Sequence, residues 1–130
     1  MRTQLETLAR ELIDGPHSAI LSTSDDEGRP QSSVIFVLYE DDTVVFSTIE
    51  GRMKTRNMKR NPWVSLLVLS KTSSQYVNIR GKVDITEDRE KFHDQVYGRY
   101  MDGATPPPEP EAERLIVRII PDRIYAFPPV

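Results

Sequence analysis

Short runs of β-branched and aromatic residues, each closed by a dense cluster of turn formers, recur along most of this 130-residue chain. Ser18-Ala-Ile-Leu-Ser-Thr23 gives way to Asp25-Asp-Glu-Gly-Arg-Pro30. The run from Ser33 to Tyr39 ends at Glu40-Asp-Asp42, and Thr43 to Thr48 ends before Gly51. Connections this short leave no room for a crossover helix, so successive strands must be antiparallel neighbours. Further on, Trp63 to Leu69 is almost continuously apolar, as a strand buried on both sides would be. Tyr76 to Ile85 alternates, with Gly81 marking a bulge or barrel bend. Leu115 to Ile120 and Ile124 to Phe127 read as last strands parted by Pro121-Asp122. Six to seven short strands predict a mainly β, α+β fold: a closed or half-closed antiparallel barrel.

Helical periodicity is confined to two or three places. Thr3-Gln-Leu-Glu6 has the form of a capping box, and Leu5, Leu8, Ala9, Leu12 and Ile13 follow on one face until Gly15-Pro16. Gly51 to about Asn61 reads as a helix stopped by Pro62. Phe92, Val96 and Tyr100, spaced by four, predict another within Glu87 to Met101. Asp102 to Glu113, with Pro106-Pro-Pro-Glu-Pro110, reads as a stiff extended loop.

Length and composition predict a single domain over 1–130, with 38% hydrophobic and 28% charged residues typical of a soluble globule. No apolar run is long enough for a bilayer, and Met1-Arg-Thr-Gln-Leu-Glu6 lacks a signal-peptide core, so a cytoplasmic location is expected. The absence of cysteine removes disulfides, thiolate nucleophiles and thiolate metal sites. His17 and His93 lie far apart in sequence and read as structural. Asp25-Asp-Glu27 and Glu40-Asp-Asp42 lack calcium-loop spacing and read as hydrated turns. No metal site and no catalytic acid–base pair stands out.

Charge is segregated. Residues 51–83 hold eight Lys or Arg and no acid, although the chain carries net charge −3. Five of these cations (Arg52, Lys54, Arg56, Lys59, Arg60) fall directly after a strand that ends in Ser47-Thr48. Strand-end hydroxyls, free N–H groups at a helix start and a positive dipole end are the parts of a phosphate site. Nucleic acid is a poorer match for that anion, because Trp63 and Tyr76 are the only aromatics in the basic zone and the chain is acidic overall.

Phe46-Ser-Thr-Ile-Glu-Gly-Arg-Met-Lys-Thr-Arg-Asn-Met-Lys-Arg-Asn-Pro-Trp-Val-Ser-Leu-Leu-Val68 resembles the signature of the split β-barrel flavoproteins related to pyridoxamine 5′-phosphate oxidase. Lys-Thr-Arg-Asn57 followed by a basic pair is similar to the actinobacterial branch that uses the deazaflavin coenzyme F-420. Leu21-Ser-Thr23, Asp-Glu-Gly-Arg-Pro-Gln31, Arg80-Gly-Lys-Val83 and Pro121-Asp-Arg-Ile-Tyr125 are similar to that branch too. The resemblance runs from about residue 5 to 126. It implies that Lys54 is the phosphate lysine, with Arg52 and Asn57 beside it, and that Ser47 and Thr48 hydrogen-bond the phosphate. It also implies that Gln31, Ser33 and Ile35 face the ring system, that Gln75 lies near the ring or its tail, and that two copies form a homodimer with both sites at the interface. The strand Trp63 to Leu69, or Tyr76 to Ile79 beside it, is the expected interface.

The vitamin B6 oxidases of that family carry Arg and Lys where this chain has Ser32 and Val37, and an Arg-x-His motif where it has Arg123-Ile-Tyr125. Vitamin B6 oxidation is therefore not expected. The expected activity is that of an oxidoreductase passing a hydride from reduced coenzyme F-420 to a small unsaturated organic acceptor. The alternatives are an FMN-binding flavoprotein and a cofactor-binding module without turnover.

Overall fold

The strands are β1 (Ser18–Ser24), β2 (Pro30–Phe36), β3 (Leu38–Glu40), β4 (Thr43–Ile49), β5 (Trp63–Leu69), β6 (Tyr76–Glu87) and β7 (Arg114–Phe127); the helices are α1 (Met53–Arg60) and α2 (Phe92–Tyr100). This computed structural model describes residues 7, 9, 11–12, 18–70, 74–88, 91–109 and 112–128. The strands form one antiparallel sheet in the order β2-β1-β5-β6-β7-β4-β3. Its two edges, β2 and β3, are consecutive in the chain and separated only by Val37. The sheet is therefore bent round on itself, and the backbone crosses from one edge to the other at a single residue. This is the split barrel expected from the sequence.

Val37 is fully buried, so its backbone groups need partners where the ladders change. Tyr100 supplies both. Its hydroxyl donates to the Val37 carbonyl at 2.6 Å and accepts from the Val37 N–H at 3.1 Å. The Tyr100 ring stacks on Phe36 with centroids 4.4 Å apart. Burial raises the pKa of this phenol, which keeps the proton on the hydroxyl. α2 is thereby pinned to the seam, and Phe92 and Val96 pack with Val45 on the outside of β4.

Two apolar runs were redistributed by this closure. Ser33 to Tyr39 is two strands, broken at Val37. The two segments after residue 114 are one strand, because Pro121-Asp122 makes a bulge and not a break: Arg80 pairs with Arg123 and Gly81 with Pro121. A Cβ at Gly81 would lie 2.2 Å from the Ile120 carbonyl oxygen, so only glycine fits there.

Inward positions fill the barrel: Leu21, Phe46, Val64, Leu66, Val68, Val77, Ile79, Val117 and Ile119 belong to one buried cluster. In a single copy β5 is buried on one side only, and not on both as its composition suggested. Val64, Leu66 and Val68 are buried, whereas Trp63 and Leu69 are exposed. Tyr76 and Phe127 stack beside Leu69 on the same outer face.

α2 starts at Phe92, later than the periodicity suggested, because β6 continues to Glu87. Asp88 then accepts from the N–H groups of Phe92 and His93 at 2.7 and 2.9 Å, serving as the helix-start acceptor. Thr7, Ala9, Glu11 and Leu12 are helical, with Ala9 and Leu12 in the core, while the Thr3–Glu6 capping box, Leu5, Leu8, Ile13 and His17 lie outside the described residues. Among the described residues no helix is long and apolar enough to cross a membrane.

Candidate anion-binding site

β3 is short, and it pairs with β4 only over Thr43 to Val45. From Phe46 to Ile49, β4 pairs with β7 alone. β2 pairs only with β1. The free edge of β2 and the lower half of β4 therefore come close with no strand between them, and this is the split in the barrel. A cavity of about 170 Å³ lies there. It is lined by Val34, Ile35 and Phe36 of β2, by His93, Val96 and Tyr97 of α2, and by Ser47, Lys54 and Arg114.

Strand alternation gives Ser47 and Thr48 opposite surroundings. Thr48 points inward and is buried. Its Oγ1 lies 2.9 Å from that of Thr55, and Thr55 donates its own proton to the Ile49 carbonyl at 2.8 Å. Thr48 must therefore be the donor to Thr55, and its proton ties the strand end to α1. Ser47 points outward into the cavity. Among the described residues its Oγ is the one buried side-chain polar atom with no hydrogen-bond partner. A buried hydroxyl without a protein partner is costly and uncommon, and this one opens onto a cavity with room for an acceptor.

The cations around it have the matching sign. Lys54, in the first turn of α1, has its pKa lowered by burial and by the nearby charges of Arg52 and Arg114. Among the described residues no carboxylate pairs with Lys54 or Arg52. The start of α1 has no side-chain cap and no acid in its first turn, so its dipole end is uncompensated. Arg114, opposite Ile49 at the start of β7, closes the group.

Arg114 does have a carboxylate. Its Nε and Nη2 donate to Glu109 Oε1 at 3.2 and 2.9 Å, and Nη2 also donates to Oε2 at 3.0 Å. His93 Nε2 lies 3.3 Å from the same Oε1. Burial, and next the charge of Arg114, lower the His93 pKa in spite of that carboxylate.

Of the residues singled out in the sequence, Ser47, Lys54 and Ile35 line the cavity, and Arg52 adds its charge beside Lys54. Asn57 is buried and donates to Thr23 Oγ1 at 3.1 Å and Gln31 Oε1 at 3.4 Å, fastening α1 to β1 and β2. Ser33 shares the inward-leaning side of β2 with Gln31 and Ile35. Gln75 sits at the β5–β6 turn, at the opposite end of that hairpin from Trp63 and α1, and is not in the lining. Arg114, His93 and Tyr97 were not singled out as site residues. Arg114 lies 60 positions beyond Lys54 beside Glu113, and nothing local marks it as part of a cationic group.

The sequence profile of the pyridoxamine 5′-phosphate oxidase family matches residues 5–127. A dihydrophenazinedicarboxylate synthase of Pseudomonas chlororaphis is 34% identical over 79 residues, which is 60% of this chain and 36% of that protein. A pyridoxine/pyridoxamine 5′-phosphate oxidase of Rippkaea orientalis is 32% identical over 94 residues, 68% of this chain and 44% of that one. The chain thus spans less than half the length of the curated relatives it matches. Among solved structures, one described as an F420 reductase superposes with a TM-score of 0.81 at 29% identity, covering 96% of this chain and 98% of the other.

Proposed function

Since the chain belongs to the pyridoxamine 5′-phosphate oxidase family, we propose that it is an oxidoreductase that holds a phosphorylated flavin-type coenzyme at the split between β2 and β4. Coenzyme F-420 is the preferred candidate, and FMN the alternative. The observation that carries this reading is the unpartnered Ser47 hydroxyl in a cavity that also holds Lys54 and Arg114.

In this reading Ser47 donates its proton to a phosphate oxygen, while Lys54 and Arg52 supply the opposing charge. Thr48 acts through Thr55 by holding the strand end against the helix, and Asn57 holds the helix against β1 and β2. The free edge of β2, from Gln31 to Ile35, offers backbone groups and a partly apolar face to a planar ring. When bound, the coenzyme would supply the hydride, so the chain itself need carry no redox group. The chain's own part is to bind, orient and exclude water, with a small unsaturated organic molecule as acceptor.

Three features favour coenzyme F-420. The Lys54-Thr-Arg-Asn57 stretch is one, and the likeness to an F420 reductase along nearly the whole chain is another. The third is charge: Arg56, Arg60 and Lys82 have no carboxylate partner among the described residues, which suits a ligand whose tail carries several carboxylates. The exposed Trp63, Leu69, Tyr76 and Phe127 would be covered in a homodimer.

Fluorescence titration of apo-protein with coenzyme F-420 and FMN tests the choice. Tighter binding of coenzyme F-420 at low and physiological salt is expected. Protein that purifies yellow, with FMN bound at least as tightly, would reverse it. Reduced coenzyme mixed with protein and an enone, quinone or tetrapyrrole should lose its reduced spectrum. Tight binding without that loss across the acceptor set would make the protein a binding module.

A further inference from the structure

The cavity beside β4 has a neighbour of about 300 Å³ lined by Pro106, Pro107, Pro108, Glu109 and Asp88, and His93 and Arg114 line both. The guanidinium of Arg114 thus borders both the cavity that holds Ser47 and Lys54 and a carboxylate carried by the proline-rich loop. Two of its nitrogens are committed to Glu109, and Nη1 makes no hydrogen bond to the described residues. Glu109 lines the second cavity and not the one that holds Ser47 and Lys54, and proline neighbours limit how far the loop backbone can relax.

We propose that Glu109 tunes the charge selectivity of the anion pocket: by pre-pairing Arg114 it narrows the advantage that a doubly charged phosphomonoester would otherwise hold over a singly charged phosphodiester. This rests on the phosphate-site reading above and goes beyond it to the class of phosphate. Lys54, Arg52 and Arg114 together hold three positive charges and Glu109 offsets one of them. Coulomb energy is linear in the ligand's charge, so a resident carboxylate opposes a dianion twice as strongly as a monoanion. Glu109 and a bound phosphate would be separated by one guanidinium and two hydrogen bonds, about 7 Å. At that range, with water-like screening, the unfavourable factor is roughly threefold per ligand charge. The coenzyme phosphates differ in this respect: FMN carries a monoester, whereas the phosphate of coenzyme F-420 links two groups and holds one charge.

The test uses three probes with one ring system: riboflavin, its 5′-methyl phosphodiester and FMN, with charges of about 0, −1 and −2 near pH 8. Each is titrated by fluorescence into the whole chain as wild type, Glu109→Gln, Glu109→Ala and Lys54→Ala. Glutamine keeps one acceptor for Arg114 and removes only the charge. Relative to riboflavin, Glu109→Gln should tighten the phosphodiester about threefold and FMN about tenfold. Glu109→Ala should move both in the same direction. If Glu109→Gln leaves the three affinities in their wild-type ratios, or weakens both phosphates, Glu109 only positions Arg114 and the proposal fails. Lys54→Ala separates that failure from a deeper one. It should compress the differences among the three probes, and if it leaves them unchanged the pocket is not a phosphate site at all.

Discussion

The two ends of α1 carry the same kind of side chain and meet opposite surroundings. At its start, Lys54 lies among the charges of Arg52 and Arg114, and no carboxylate among the described residues pairs with Arg52 or Lys54. At its end, Lys59 is paired with Glu50, and the neighbouring Arg60 is exposed to solvent. Arg80, on the barrel wall beyond, is paired with Asp122 at 2.8 Å. In sequence Glu50 lies two positions from Arg52 and nine from Lys59, so proximity along the chain would assign it to the wrong cation. A cation already neutralised by a carboxylate gains little from a ligand anion. One that is half-buried among other cations gains a great deal, because the ligand's charge offsets both the cost of burial and the repulsion. A run of basic residues becomes a site only where the fold withholds acids from it.

The largest expected effect is at Lys54. Lys54→Ala should weaken binding of FMN or coenzyme F-420 by about 1.5–3 kcal/mol, the range for a charge-assisted hydrogen bond, measured by titration. An effect no larger than that of Lys59→Ala would abolish the distinction between the two ends. The same residue gives the site a pH dependence. Its pKa lies below the ordinary 10.5, so affinity should begin to fall at a lower pH than for a solvated lysine. Removing the repulsion with Arg114→Gln should move that alkaline limb upward. For the free protein the sign is reversed: the unfolded chain holds the Lys54 proton more tightly, so Lys54's contribution to stability rises with pH across that window.

Ser47→Ala comes next, with a loss of about 1 kcal/mol in coenzyme affinity. Folding stability should stay level or rise, because a buried hydroxyl without a partner has been removed. Its neighbour sharpens the contrast. Thr48→Val should cost about 0.5–1.5 kcal/mol of stability in a denaturant titration, through the lost bond to Thr55, and leave affinity nearly intact. Exchanged outcomes for these two variants would mean that the strand presents its other face to the ligand. The smallest effect is at Lys59. Its pair with Glu50 is exposed, and Lys59→Ala should change stability and affinity by less than about 0.5 kcal/mol.

The barrel was legible because its signals are local. Turn residues such as Asp25-Asp-Glu-Gly28 end one strand and start the next, and the bulge at Gly81 follows from a single missing side chain. The break at Val37 was not legible, since Ser33 to Tyr39 has uniform β character. The backbone is divided there by the need to change sheet edges, and Tyr100, 63 residues away, satisfies the groups that this exposes. The site divides in the same way. The unbroken stretch from Ser47 to Lys54 carries its own signal, a hydroxyl at a strand end followed by a cation at a helix start.

The sequence by itself determined the antiparallel barrel, the basic helix start and the sign of the charge gathered there, because alternation, turn chemistry and charge composition act over a few neighbouring residues. Only the tertiary structure decided that Ser47 and not Thr48 faces the cavity, that Glu50 serves Lys59, and that Arg114 with its partner Glu109 joins the group. Burial and ion pairing are governed by distance through space, and sheet order sets those distances independently of separation along the chain.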